Sequence, residues 1–332
     1  MKVAFTICSN NYLAKAKVVV DSFMNFHPEY VFYIFLVDKL DAQIDYAKFA
    51  KAEIVEVQSV VSDIEPLALK YNIIELNTAV KPDIFLHLFH KYQAESIIYL
   101  DPDLMIYDRF LEVENILLQP EQNMVITPHF CSPIDDGKYP SEIDFACFGL
   151  YNLGFIAIKN SAESIRFLEW WRQRLMKYCY IKPAEGMFTD QLWVNIAPIF
   201  FNGMYILKHL GYNVANWNLY ERDMSLSNNH WYVNRNERLK FIHFSQYEYN
   251  NPYSIAKYQN RHVIEDRPDM KELIDMYQQQ LVQNKFEDFT NCECFYQRLY
   301  QDNLNSINAE KNSIVKKVKR RLKRYTRTSK FD

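Results

Sequence analysis

Short, uninterrupted apolar runs recur along the chain as far as Phe244, each bounded by polar or turn-forming residues. Val3 to Cys8 (VAFTIC) is the first, and Asn10-Asn11 breaks it. Val31 to Val37 (VFYIFLV) ends at Asp38, Ile54 to Val57 is shorter, and Ile97 to Leu100 (IIYL) runs directly into Asp101. Further runs lie at Met124 to Thr127, Phe155 to Ile158 and Leu239 to Phe244. A strand without polar alternation is covered on both faces, as in a mostly parallel sheet with helices on either side. The segments between the runs have helical spacing. Tyr12 to Phe26 carries Ala16, Val19, Val20 and Phe23 on one face and is stopped by His27-Pro28. Asn77 to Tyr92, Ala162 to Lys177, Asp190 to Ala197 and Asp269 to Lys285 also read as helices. The pattern predicts an α/β fold with a mostly parallel central sheet, flanking helices and a C-terminal helical tail.

Composition narrows the functions such a fold can serve. The chain has 332 residues, 49% of them hydrophobic, enough for one large domain or two modest ones. Only six are glycine, and neither Gly-x-Gly-x-x-Gly nor Gly-x-x-x-x-Gly-Lys-Ser/Thr occurs, so the glycine-rich phosphate loops are excluded. A formal net charge of -3 argues against a nucleic-acid partner. The cysteines (Cys8, Cys131, Cys147, Cys179, Cys292, Cys294) are scattered, with neither a disulfide framework nor zinc-ribbon spacing. Met1 to Val20 is interrupted by Asn10, Asn11, Lys15 and Lys17, so no secretory leader is expected there, and no apolar run reaches the ~18 residues of a membrane span. A cytoplasmic chain is the expectation.

Tyr99-Leu100-Asp101-Pro102-Asp103 is the most informative segment. Ligands of open α/β sheets bind beyond the carboxyl ends of strands. Two carboxylates one residue apart at such a point repel each other unless a positive charge sits between them. Hard oxygen ligands suit Mg2+ or Mn2+, which are commonly held by one or two carboxylates plus substrate phosphates. Pro102 stiffens the turn. Asp-x-Asp also occurs simply as turn-capping acid, and the preceding apolar strand is what favours a site. His243, at the end of Lys240-Phe241-Ile242-His243, again follows an apolar run and is a candidate third ligand or a structural histidine.

Taken in order, these segments resemble the GT-A nucleotide-diphospho-sugar transferases, in particular the family that includes glycogenin and bacterial lipopolysaccharide galactosyltransferases. Thr6-Ile7-Cys8-Ser9-Asn10-Asn11-Tyr12 resembles that family's nucleotide-binding entry, and Lys81-Pro82 its basic residue before the Asp-x-Asp strand. Asn152-Leu153-Gly154 resembles its Asn-x-Gly segment beside the donor sugar, Asp190-Gln191 its acid–amide pair under the reacting sugar, and His243-Phe244-Ser245 the histidine that completes the metal site. Asn216-Trp217-Asn218-Leu219 and Asn251-Pro252-Tyr253 look like segments of surface-polysaccharide transferases. The likeness runs from residue 3 to about residue 250. Two departures stand out: Gln246 replaces the usual Gly after His-Phe-Ser, and the Lys-Pro-Trp that often follows is missing.

The resemblance implies a retaining, metal-dependent transfer from a nucleotide-sugar donor, with UDP-sugar as the family's usual choice, to a saccharide or lipid-linked acceptor. It implies donor contacts from Thr6, Cys8, Asn11, Tyr12, Lys81, Asp101, Asp103, Asn152 and Gly154. A Mn2+ or Mg2+ ion would lie on Asp101, Asp103 and His243, with Asp190 and Gln191 at the reacting sugar. Read without the family, Asp190 is equally a helix cap, Lys81 an ordinary surface lysine, and Asp144, Glu185 and Asp190 are all possible bases. Glu185-Gly186 reads as a flexible loop that could close over the donor. A sugar-nucleotide-binding protein without turnover and a nucleotidyltransferase are the competing readings. The latter lacks its usual basic, glycine-rich loop after the first strand. The expected organisation is a catalytic domain over 1–251, a helical extension over 252–308 and a basic amphipathic tail over 309–332. In the tail, Ile314, Val315, Val318, Leu322 and Tyr325 share a face beside Lys316-Lys317 and Lys319-Arg320-Arg321, a pattern suited to an anionic membrane surface through residues 311–330.

Overall fold

The apolar runs become strands of one sheet. The computed structural model describes residues 1–328, with side chains as far as Lys319. Its strands are β1 (Lys2–Cys8), β2 (Val31–Leu36), β3 (Glu53–Glu56), β4 (Ser96–Leu100), β5 (Leu104–Ile106), β6 (Met124–Pro128) and β7 (Tyr151–Lys159). The central sheet is seven-stranded, in the order Met204–Ile206, β6, β7, β4, β1, β2, β3. Neighbours run parallel throughout, except that β7 is antiparallel to both β4 and β6. β1 is central, and both its faces are covered. Val3, Phe5 and Ile7 face one apolar cluster with Ile97, Ile156, Phe85 and Trp171, while Ala4 and Cys8 face another with Ile98, Val125, Val19 and Phe23. Each fully buried Val, Ile, Leu or Phe contributes roughly 1.5–3 kcal/mol over an exposed one, so these two layers are what fix the positions of the strand ends.

Three boundaries differ from the sequence reading. The expected helix over Asn77 to Tyr92 is two helices, Ile73–Ala79 and Lys81–Tyr92, meeting at Val80. Pro82 has no N–H to donate back and opens a new helix. Asn72 and Glu75 cap the earlier helix reciprocally. Asp190 to Ala197 likewise divides into Gln191–Val194 and Ala197–Phe200, with Pro198 opening the second. The Leu239 to Phe244 run is a short strand, Phe241–His243, paired with β5 rather than with the main sheet.

The C-terminal residues return to the body of the protein. Leu273, Ile274, Tyr277 and Leu281 of the Lys271–Gln283 helix pack with Met105, Val214 and Phe244, and the Tyr277 and Phe244 rings stack at 3.9 Å. Asp38, just beyond β2, accepts backbone N–H groups from Asn10 at 3.1 Å, Lys39 at 2.9 Å and Phe295 at 2.8 Å, tying the last helix (Phe295–Thr328) to the end of the sheet. Ile314, Val315 and Val318 are exposed on that helix. The side chains of Leu322 and Tyr325, and residues 329–332, lie outside the described residues, so the outer part of the basic-tail expectation does too. Among the described residues no helix is long and apolar enough to cross a membrane.

Candidate active site

β4 ends at Leu100, the chain turns through Asp101-Pro102-Asp103, and β5 leaves at Leu104. The turn is anchored by Asp101, whose N–H donates to the Gly154 carbonyl at 2.8 Å. β5 pairs antiparallel with Phe241–His243, and His243 stands opposite Leu104. This pairing brings His243 to the acids: Nε2 lies 3.0 Å from Asp103 Oδ1 and 3.7 Å from Asp101 Oδ2. One ligand atom from each of the three residues lies within 4.8 Å of the others. Gly154 belongs to the same cradle. A Cβ there would stand 2.6 Å from His243 Cε1 and 2.9 Å from Asp101 Oδ2, so any larger residue would fill the space between them.

The electrostatics suit a cation. Burial pushes the Asp101 carboxyl up, against the pull of Lys81 and His243, and the neighbouring Asp103 adds to the rise. Burial acts on Asp103 too, but the hydrogen bond and charge of His243 outweigh it and hold that carboxyl low. Burial alone would lower His243, yet Asp103 and Asp101 raise it. His243 Nδ1 lies 3.3 Å from Asn213 Oδ1, an acceptor, so Nδ1 carries hydrogen and Nε2 is left facing two carboxylates. Three electron-rich atoms converging on one point require a proton or a metal ion between them. Two hard carboxylates with one imidazole fit Mn2+ or Mg2+.

The support behind the site was not legible in the sequence. Asn213 adopts φ 52° and donates from Nδ2 to Thr127 Oγ1 at 2.9 Å and to Asn152 Oδ1 at 3.0 Å, which orients its own carbonyl towards His243. Its only sequence signal is that asparagine tolerates a left-handed backbone. Tyr99 OH donates to Asp101 Oδ1. His129 sits behind Asn152 at 3.3 Å, and burial drives it down to about 3, so it stays neutral there. A second His–carboxylate group, His27 with Glu29 and Glu114, is occupied differently: Arg109 donates to both carboxylates and Lys2 pairs with Glu114.

The other expected residues are distributed as follows. Lys81 is not a surface lysine. It is 1% exposed, forms an ion pair with Asp190, donates to the Leu153 carbonyl at 3.0 Å, and lies 4.1 Å from the centroid of the Tyr99 ring. Asp190 caps no N–H with its side chain, which is given to Lys81 instead. Thr189 before it is buried at φ 46°, a strained setting for a β-branched residue. Gln191 donates to the Phe148 carbonyl at 2.7 Å. Asn152 Oδ1 accepts from Gly154 N–H at 3.0 Å as well as from Asn213. Thr6 and Cys8 have no exposed surface because β1 is covered on both faces, so neither offers a side chain to a donor, whereas Tyr12 is 40% exposed and Asn11 is half-buried. A cavity of about 300 Å³ opens at the ends of β1 and β2, lined by Asn10, Asp38, Lys39, Phe295 and Arg298 among others. Gln246 takes φ 62°, a left-handed backbone that glycine adopts more readily than glutamine.

No family model matches the chain. Two Bacillus subtilis (strain 168) proteins, both uncharacterized, are similar to it. YfnF is 28% identical over 156 residues, 47% of this chain and 50% of its own length, so the match spans half of that relative. YfnD is 25% identical over 248 residues, 72% of this chain and 76% of YfnD. Among solved structures, the galactosyltransferase LgtC, in complex with donor and acceptor sugar analogs, aligns with a TM-score of 0.49 at 14% identity, over 85% of this chain and 96% of that one. The glycosyltransferase GlyE of Streptococcus pneumoniae TIGR4 gives 0.47 at 10% identity, covering 88% of this chain and 65% of GlyE. Mouse xyloside xylosyltransferase 1 gives 0.42 at 15%, covering 65% and 89%.

Proposed function

We propose that the chain is a glycosyltransferase that takes a nucleotide-diphosphate sugar, with UDP-sugar the expected donor, and passes the sugar to a saccharide or lipid-linked acceptor with retained configuration. The observation that carries this reading is the convergence of Asp101, Asp103 and His243 at the exit of β4, although His243 is remote from the acids in sequence. These three residues would hold Mn2+ or Mg2+, and a divalent ion there supplies compensation for the charge that develops on a departing diphosphate. Tyr99 and Asn213 fix the orientation of Asp101 and His243. Tyr12 offers an exposed aromatic face, and the open cavity at the ends of β1 and β2 offers space for a nucleoside. Asp190, held by Lys81 and next to Gln191, borders the sugar position.

Of the three candidate bases for an inverting reaction, Asp144 and Asp190 are engaged, and Glu185 makes only an exposed pair. Asp144 accepts from the Ser141 N–H and hydroxyl, Glu185 pairs with Lys182, and Asp190 pairs with Lys81. This supports retention, which needs no such base. The intact site also favours turnover over mere sugar-nucleotide binding.

A thermal-shift panel of nucleotide sugars with and without Mn2+ tests the reading, because a ligand that binds the native state raises its stability by mass action. At least one donor should raise the melting temperature only with the metal present. Asp103→Ala should abolish both that shift and metal-dependent transfer or donor hydrolysis, by more than about 100-fold. Activity that is unchanged in chelator, or no stabilising donor in the whole panel, would sink the proposal. The exposed Ile314, Val315 and Val318 beside Lys316, Lys317 and Lys319 support peripheral contact with an anionic membrane, each lysine near such a surface being worth about 1 kcal/mol. Deleting residues 311–332 should release the protein from anionic liposomes, and equal retention of the shortened chain would remove this anchor.

A further inference from the structure

Two lysines are enclosed beside the acidic turn, and only one has a partner. Lys81 is matched by Asp190 and the Leu153 carbonyl. Lys15, in the first turn of α1 (Leu13–Phe26), is 7% exposed and forms no ion pair or hydrogen bond with any described residue. Its Nζ lies 4.7 Å from the centroid of the Tyr12 ring. Burial pushes its ammonium below the ordinary lysine range, with Asp103 pulling the other way, and its charge acts in turn on Asp103 and His243. The ammonium is thus within electrostatic reach of the proposed metal ligands while bonded to none of them.

A lysine covered to 7% exposure, whose ammonium has an aromatic ring but no hydrogen-bonding or charged partner, is held at some cost. The first turn of a helix adds to the cost, because that end of the helix dipole is positive. An anion in the same space offsets both. The charge balance points the same way. A divalent ion between Asp101 and Asp103 would cancel their two negative charges, and Lys15 would then leave one net positive charge beside the turn. From Ser245 to Pro252, where the family usually has a lysine, the chain carries neither lysine nor arginine.

We propose that Lys15 is a donor-binding cation that contacts the diphosphate of the nucleotide sugar, supplying from α1 the positive charge that the late segment lacks. This rests on reading the acidic turn as a nucleotide-sugar site. The stem is covered and the Tyr12 ring occupies one side of the ammonium, which would meet phosphate as a point charge.

Calorimetric titration of the full chain in Mn2+ with UDP, GDP, ADP and CDP, alongside Mn2+ titration without nucleotide, tests the assignment. Wild type should bind at least one diphosphate. Lys15→Met and Lys15→Gln should each weaken that binding about 10- to 100-fold, and Lys15→Arg should restore most of it. The ion alone should bind both neutral variants as tightly as wild type or more tightly, because a like charge has been removed. Opposite responses to anion and cation separate a charge role from damage to the fold, and should one neutral variant fold poorly the other decides. Equal diphosphate affinity in wild type and the neutral variants would overturn the assignment, as would parallel loss of Mn2+ and diphosphate binding. Wild type that binds none of the diphosphates would instead bring down the transferase reading itself.

Discussion

The two flanks of the Asp101–Asp103 turn are built on opposite plans. On the β7 flank Lys81 is bonded to Asp190 and the Leu153 carbonyl, and Asn152 and Asn213 are bonded to each other, to Gly154 and to His243. On the α1 flank Lys15 has no partner, and the buried hydroxyls of Tyr107 and Tyr277 have none among the described residues, Tyr277 lying near enough to Asp103 to feel its charge. Unsatisfied buried atoms are not confined to that flank, since His129 Nδ1 behind Asn152 and Trp217 Nε1 beside His243 also lack partners among the described residues; what separates the flanks is the unbonded lysine. The hydrogen-bonded flank holds the geometry of the acids and imidazole, and the flank with the unbonded lysine is the one proposed to receive the diphosphate.

The contrast can be broken at its strongest point first. Asp190→Asn removes the charge that balances Lys81, both side chains being under 5% exposed, and should lower the unfolding free energy by about 3–5 kcal/mol. The same urea measurement on Lys15→Met should show no loss and, with the uncompensated charge removed, a gain of up to about 1 kcal/mol. Similar losses in the two variants would put both flanks on one footing. A smaller effect sharpens the picture. Asn213→Ala frees the His243 ring without touching an ion, and Mn2+ affinity should fall about 10- to 100-fold, read by electron paramagnetic resonance of the unbound ion. An unchanged affinity would mean that the imidazole needs no such support.

The frame of the fold was open to reading because central strands covered on both faces leave uninterrupted apolar runs, and Val3–Cys8 and Ile97–Leu100 stand where those runs are. The direction of β7 was not, since an apolar run looks the same in either orientation. The helix break at Val80 was missed because Pro82 begins a helix as readily as it ends one. Asp101, Asp103 and His243 were legible for a shared reason: each lies where an apolar run stops. Lys15 and Asn213 gave no comparable sign. Lys15 sits among residues of helical spacing and looks like an ordinary polar interruption, and its isolation depends on Tyr12, Asp103 and the returning C-terminal helix. Asn213 matters only through Thr127, Asn152 and His243, which the fold gathers from three distant segments. Thr6 and Cys8 show the converse, in which a local motif suggested contact and a covered strand leaves the side chains without exposed surface.

The antiparallel pairing of β5 with Phe241–His243 also has a temporal meaning. The acids are translated early and the imidazole late, so a chain emerging from the ribosome carries half a chelate until its return segment has docked. No fragment that stops short of residue 243 contains all three proposed ligands, so binding of an ion there would report that the two ends of the fold have met.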